Sequence, residues 1–458
     1  MSTRSTTFTR WGDVLAAALA LALVALASLV GWANDFRLMG PDGYPDAPTY
    51  FGEWPILGEF LPHVGIGTPM AVVVAVAVIA YGPVLVTRLS WRKALAITYG
   101  ASVAWTFSLA LIDGWHRGIV KRLTTRDEYL SAVGGITDIP TMLRTFTSRI
   151  LDFQPDSWIT HVSGHPPAAT LVFVWLDRIG LGGGAWAAVV CVLVGALVVV
   201  AVPVTVSVLG APERARAVLP FMALMPGAVW MGVSADGLFA GVTAVGIALL
   251  AIGARTQRWS LCVFAGVVLG IGVFLSYGLL LMGAIALAVV MIARSWRALV
   301  WAVPGALIVV AVFAIAGFWW LDGYHLVVER YYQGIATDRA YEYWVWANLA
   351  CLVLAIGPAT AAGLRRVLVT GWSGLRRPPE GGSVLRDPVV VLACGAIVAV
   401  LAATVSGLSK SEVERIWLPF AVWLVVAAAM LPARSHRWWL AAQAVTALAV
   451  NHVLLTNW

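Results

Sequence analysis

Apolar residues fill this chain in blocks of about twenty separated by short polar gaps, the length a helix needs to cross the hydrocarbon of a bilayer. Asp13 to Trp32, Val64 to Thr87 and Ala94 to Ile112 are the first three blocks. Each is too long for a strand and lacks two-residue alternation, so each predicts a spanning helix. Arg4 and Arg10 precede the first block, which is longer than a signal-peptide core and is followed by many more, so it reads as a retained helix with a cytoplasmic N-terminus.

The gaps assign the sides. Arg88 to Lys93, Glu213 to Arg216, Arg255 to Arg258, Arg294 to Arg297, Arg365 to Arg386 and Arg434 to Arg437 are all basic, and the positive-inside rule puts them on the cytoplasmic face. The turns between them, Ser234 to Gly237, Ser276 to Gly278, Asp322 to Tyr343 and Ser406 to Glu414, then face outward. Parity holds if the apolar piece Pro167 to Leu181, about fifteen residues, does not cross. The predicted fold is an all-α, polytopic transmembrane helical bundle of about thirteen spans. Three regions follow: an N-terminal hairpin over 1–93, a core over 94–258 with a large outer loop at 113–184, and C-terminal helices over 259–458 with outer loops 322–343 and 406–415.

The long polar stretch from Asp113 to Gly184 departs from the pattern, and a loop of that length in a membrane protein points to function. Within it Ile139, Met142, Leu143, Phe146, Ile150 and Phe153 recur at helical spacing, with Arg144, Thr145, Ser148 and Arg149 on the other face. That predicts an interfacial helix on the outer leaflet. A second such helix follows His165-Pro166-Pro167, since proline suits a first helical turn. Gly371 to Pro388 reads as a structural linker.

Composition agrees with the pattern. The chain has 458 residues, 60% hydrophobic and 12% charged, with a mean hydropathy of +0.87, whereas soluble globules carry about 25% charged residues. Its net charge of +7 lies mainly in the short loops, so it reports topology and not a nucleic-acid partner. Cys191, Cys262, Cys351 and Cys394 all fall in apolar runs and imply no disulfide framework and no metal cluster. Arginine far outnumbers lysine, which with the Ala/Val richness points to a GC-rich bacterial genome and hence a bacterial plasma membrane.

Candidate chemistry collects on the outer face. Asp113 and the pair Asp127 and Glu128 could deprotonate a hydroxyl nucleophile or hold a divalent cation, Mg or Mn, or they could be solvated acids at helix ends. His165 sits where the polar loop meets the next apolar piece, with His161 a weaker candidate. Arg117, Lys121, Arg122, Arg330, Arg339, Lys410 and Arg415 lie outside against the charge bias, which makes sense if they hold a lipid phosphate. Arg415 is the favoured one, the competing reading being an Arg/Glu pair that fixes the loop. Tyr332 and its aromatic neighbours could stack on a sugar or form an interfacial belt, and Asp236 could reach the same cavity or cap a helix.

Ile112-Asp113-Gly114, Arg126-Asp127-Glu128-Tyr129 and Gly164-His165-Pro166-Pro167-Ala168-Ala169 together resemble the GT-C superfamily of membrane glycosyltransferases that use polyprenyl-phosphate donors. The protein O-mannosyltransferases, aminoarabinose transferases and actinobacterial arabinosyl- and mannosyltransferases are its relevant branches. The resemblance covers about Ala94 to Arg258, with Ala168 where glycine is common and an additional hairpin in front. It implies an inverting transfer of sugar from a polyprenyl-phosphate-linked donor to an envelope glycan, glycolipid or protein acceptor. Asp113 would be the base, with Asp127 and Glu128 beside it. Arg415, Lys410, Arg330 and Arg122 would hold the donor phosphate, and His165, Asp236 and Tyr332 would contact substrate. Asp35, Asp42, Asp46, Glu53 and Glu59, in the outer segment 33–63, offer another source of the catalytic acid. A transporter or flippase would instead place ionisable groups near the midplane, and a non-catalytic scaffold would need none.

Overall fold

The computed structural model describes residues 3–34, 36, 55–376 and 386–456. Asp35, Asp42, Asp46 and Glu53 lie outside the described residues. The polytopic helical bundle is borne out: among the described residues eight helices are long and apolar enough to span a membrane. They are Trp11–Ala33, Gly67–Arg88, Trp91–Asp113, Gly184–Val208, Ala235–Thr256, Arg297–Ile315, Tyr341–Gly374 and Pro388–Ser406. Leu418–Met430 and Ala433–Val453 form a further pair bent by 111°, and Trp259–Leu275 and Tyr277–Ala293 are shorter apolar helices. The remaining apolar block is broken into Pro212–Ala223 and Ala228–Met231.

Helices approach closely where glycine removes a side chain. A Cβ at Gly266 would lie 1.9 Å from the carbonyl oxygen of Ala302, and one at Gly305 would lie 2.1 Å from that of Val263. Both positions join Trp259–Leu275 to Arg297–Ile315 in the small-residue contact that substitutes in lipid for a hydrophobic driving force.

The helix Tyr341–Arg376 breaks at Gly357, whose φ of 76° favours glycine and which precedes Pro358. Three of the backbone groups at the break find partners on other helices. The buried Gln443 amide donates to Ile356 O at 2.8 Å and accepts from Ala359 N at 3.2 Å, while Gly227 N donates to Ala355 O at 2.7 Å. One side chain thereby bridges both sides of the break.

The bundle has two chemically different ends. At one, the buried Asp13 carboxylate takes Arg366 through Nε and both oxygens and Arg365 at 3.0 Å, tying the first helix to Tyr341–Arg376. Arg214 pairs there with Asp387, and Arg216 donates to Val86 O and Leu89 O. The other end carries the loops with the candidate chemistry. It also holds the one departure from an all-helical fold among the described residues, an antiparallel pair of Gly58–Phe60 with Leu454–Thr456.

The 139–153 segment is not one helix. Ile139–Arg144 is capped by the Asp138 side chain, and a separate 3₁₀ turn follows at Thr147–Arg149. Its apolar face turns inward: Met142, Leu143, Phe146 and Ile150 are buried, with Phe146 against Trp158 and Phe318. Phe153 leaves that face altogether, at φ 65° and 83% exposed. The helical spacing was real, but the partner is protein. Pro167–Arg178 is a helix of 12 residues, too short to cross.

Replacing Gln443 by leucine keeps the volume but strands the buried Ala359 N and leaves Ile356 O with the Thr360 hydroxyl alone. Gln443→Leu should cost about 2 kcal/mol or more. A clear fall in the midpoint of thermal unfolding in detergent would show it, and an unchanged midpoint would remove the staple.

Candidate functional site

Two separate charged clusters occupy the loop-bearing end. The first surrounds Asp113, at the tip of the third span. His63 Nε2 reaches its Oδ1 at 2.9 Å, Arg122 donates to Oδ2 at 2.5 Å and Arg117 Nε lies 3.6 Å from Oδ2. The Asp113 side chain is only 4% exposed. His63 Nδ1 faces the Leu61 carbonyl at 2.7 Å, so both ring nitrogens point at acceptors, and both bonds form at once only in the imidazolium. Arg117 and Arg122 each donate to Thr456 O at 3.0 Å. Burial pushes the Arg122 guanidinium down to about 10, partly offset by Asp113. His63 went unremarked in the sequence, because nothing local links it to a residue fifty positions on.

The second cluster is built from four segments. Thr160–Ser163 places His161, whose Nδ1 donates to Asp127 O at 2.8 Å while its backbone N–H donates to the same oxygen. That fixes Nδ1 as the protonated nitrogen and turns Nε2 toward Arg415, whose NH1 and NH2 both lie at 3.4 Å. Arg415 stands 3.4 Å from Asp236 Oδ2 and 3.3 Å from Glu412 Oε2. Asp236 lies in the first turn of Ala235–Thr256, whose N-terminus Ser234 caps. Glu128 Oε1 is 3.5 Å from His161 Nε2, and Glu128 Oε2 is buried without a hydrogen-bond partner. Thr160 donates to Asp127 Oδ1 at 3.0 Å.

His165 Nδ1 donates to His161 O at 2.9 Å, and its ring packs against Tyr129 and Phe239. Burial pushes His165 down to about 4, so it is neutral at physiological pH. The buried Tyr129 hydroxyl has no hydrogen-bond partner, and burial, then Asp236 and Glu128, push it well up. Burial would lower Arg415, but Asp236, Glu412 and Glu128 outweigh it and hold the guanidinium above its ordinary value. Burial would likewise raise Glu412, which Arg339 and Arg415 hold below the usual carboxylate range.

The expected site residues therefore divide. Asp127, Glu128, His165, Asp236 and Arg415 come together. Asp113 and Arg122 form the other cluster. Lys410 is a backbone clamp, its Nζ donating to Ala336 O at 2.8 Å and Arg339 O at 2.9 Å. Arg330 pairs with Asp152 and donates to Ser163 Oγ at 3.3 Å, at the edge of the second cluster. Tyr332 is 46% exposed, with the Lys410 ammonium 5.3 Å from its ring centroid. His161, Glu412 and Arg339 carry more of the wiring than the sequence suggested. Among the described residues no three His, Cys, Asp or Glu side chains converge in a way that could hold a metal.

Glu414 is fully buried in the short helix Val413–Ile416, beside the Cys351 thiol, and neither carboxylate oxygen makes a hydrogen bond of ordinary geometry. Burial, with Glu412 adding to it, pushes its carboxyl up to about 7. The folded state then binds a proton that the unfolded chain releases near pH ~4.5. Its stabilising contribution is complete below that value and is lost as pH rises through about 7. Glu414→Gln should flatten the fall in thermal midpoint between pH ~5 and ~8. A variant that retains the wild-type slope would assign the proton elsewhere.

No family model matches the chain, and no curated protein matches it. Among solved structures it is similar to an Archaeoglobus fulgidus oligosaccharyltransferase tethered with an acceptor peptide containing the NVT sequon, at 13% identity and a TM-score of 0.44, over 76% of this chain and 49% of that one. Archaeal oligosaccharyltransferase AglB from the same organism, in complex with an inhibitory peptide and a dolichol-phosphate, gives 12% and 0.42 over 74% and 50%. The apo form of the oligosaccharyltransferase gives 12% and 0.42 over 85% and 56%. The chain spans about half the length of these structures.

Proposed function

We propose that the protein is a membrane glycosyltransferase that moves a sugar from a polyprenyl-phosphate donor to a hydroxyl of an envelope glycan, glycolipid or protein on the outer face of a bacterial plasma membrane. The observation that carries this reading is the second cluster. A buried arginine, two histidines and four acids meet at the mouth of a helical bundle, with a carboxylate oxygen and a tyrosine hydroxyl still unpartnered. Buried polar groups are normally satisfied, so unpaired ones in a charged cluster favour a ligand that completes them.

The chemistry asks for two things at that place. A carboxylate must accept the acceptor's proton, and a fixed cation must meet the charge that develops on the departing phosphate. Arg415 suits the second role, because Asp236, Glu412 and His161 fix its guanidinium from several sides and so prepay its orientation. Were a divalent cation, Mg or Mn, to accompany the donor, Asp127 would help to hold it and it would supply charge neutralisation at the phosphate. The regions 1–93, 94–258 and 259–458 would then serve as leading hairpin, catalytic core and supporting helices. Charged side chains gathered at the two bundle ends favour an enzyme over a transporter, which needs them along a midplane path.

Arg415→Ala, tested with a panel of radiolabelled polyprenyl-phosphate sugars that includes mannose and arabinose donors, should weaken donor binding roughly tenfold or more, with Arg415→Lys intermediate. Unchanged donor affinity in the folded variants would take Arg415 out of the phosphate site. No binding or transfer by the wild type across the panel would overturn the reading.

A further inference from the structure

The residue that the resemblance makes the base is the one the geometry leaves least able to act as one. Asp113 Oδ1 is taken by His63, and Oδ2 faces both Arg122 and Arg117. A carboxylate whose two oxygens are held by a histidine and two arginines has its lone pairs occupied, whereas a base needs a free lone pair aimed at the acceptor. The same contacts tie together three distant parts of the chain. His63 comes from the segment after the Gly58–Phe60 strand, Asp113 from the end of the third span, and Arg117 and Arg122 reach on to Thr456 in the Leu454–Thr456 strand. Thr68 and His452, bonded at 2.9 Å, continue the same seam.

Glu128 presents the opposite picture. It is 3% exposed, Oε2 has no partner, and Oε1 lies 3.5 Å from His161 Nε2, the nitrogen that faces Arg415. Its Oε1 therefore shares an imidazole with the cation proposed for the phosphate, while Oε2 stays open.

Resting on the glycosyltransferase reading, we infer that Asp113 is a positioning residue, the latch that joins the first loop segment, the third span and the 454–456 strand, and that Glu128 is the proton acceptor. In the step itself the acceptor hydroxyl gives its proton to Glu128 Oε2 as its oxygen bonds to the anomeric carbon. The bond from that carbon to the phosphate oxygen breaks, and its electron pair leaves with the lipid phosphate beside Arg415. Asp113 takes no proton.

The experiment compares Asp113→Asn, Arg122→Gln, their double variant and Glu128→Gln, each purified and read for thermal midpoint, donor affinity, transfer rate and its pH profile. A latch predicts that Asp113→Asn and Arg122→Gln each lower the midpoint, that the double variant falls no further than the worse single one, and that both transfer with the wild-type acid limb of the pH profile. A base predicts that Glu128→Gln keeps the midpoint and donor affinity but loses transfer roughly a thousandfold. Glu128→Asp should restore part of the rate with a shifted acid limb, and it keeps the assignment testable if the glutamine variant misfolds. Asp113→Asn with an unchanged midpoint, intact donor binding and no transfer would overturn the proposal, as would a fully additive double variant. A wild type inactive with every donor would sink the glycosyltransferase reading, while the coupling between Asp113 and Arg122 would still decide the latch.

Discussion

Hydrocarbon accepts neither an unpaired peptide group nor an isolated charge, and most of this structure follows from that prohibition. Where the chain must bend inside the bundle, as at Gly357, a side chain from a distant helix has to supply what the backbone lost. Where a carboxylate is buried at a helix end, as at Asp13, two arginines from one neighbouring helix close over it. Such pairs add little net stability, because desolvation offsets their attraction, but breaking one leaves a stranded charge, so they fix which helix packs beside which.

Against that background the loop-bearing end stands out for its uneven satisfaction. In the Asp113 cluster each oxygen of the acid and each nitrogen of His63 is in contact, and only the buried Nε atoms of Arg117 and Arg122 lack a hydrogen bond. This cluster differs in character from the Arg415 cluster, where a well-held cation and a neutral histidine lie beside a glutamate oxygen and a phenol that protein leaves unmatched. The first arrangement is what a joint requires, and the second is what a binding site requires.

The spans were readable in advance because each is a local, one-dimensional property: about twenty apolar residues bounded by charge. The breaks were not, since Gly357 terminates a helix only because Gln443 is there to receive the exposed groups, and Gln443 carries no local sign of its partner. The apolar stripe at Met142, Leu143 and Phe146 is legible but its cover is not, because periodicity reports that a face is covered and not whether by lipid or by protein. For the site, the types and neighbourhood of Asp127, Glu128, His165, Asp236 and Arg415 were legible from their placement on one predicted face. The division between them and Asp113 was not, as it depends on His63 and Thr456, which only the folded chain brings near.

The short pairing of Gly58–Phe60 with Leu454–Thr456 has a consequence for the order of assembly. It joins segments from nearly opposite ends of the described chain, so it closes a very long loop, and such contacts form late. During synthesis the N-terminal hairpin is inserted long before residues 454–456 have left the ribosome. Until they arrive, Arg117 and Arg122 lack their shared carbonyl at Thr456, and the seam beside Asp113 stays open to water. The loop-bearing end is therefore finished only when that strand pairs, after the helices that precede it in the chain have been made.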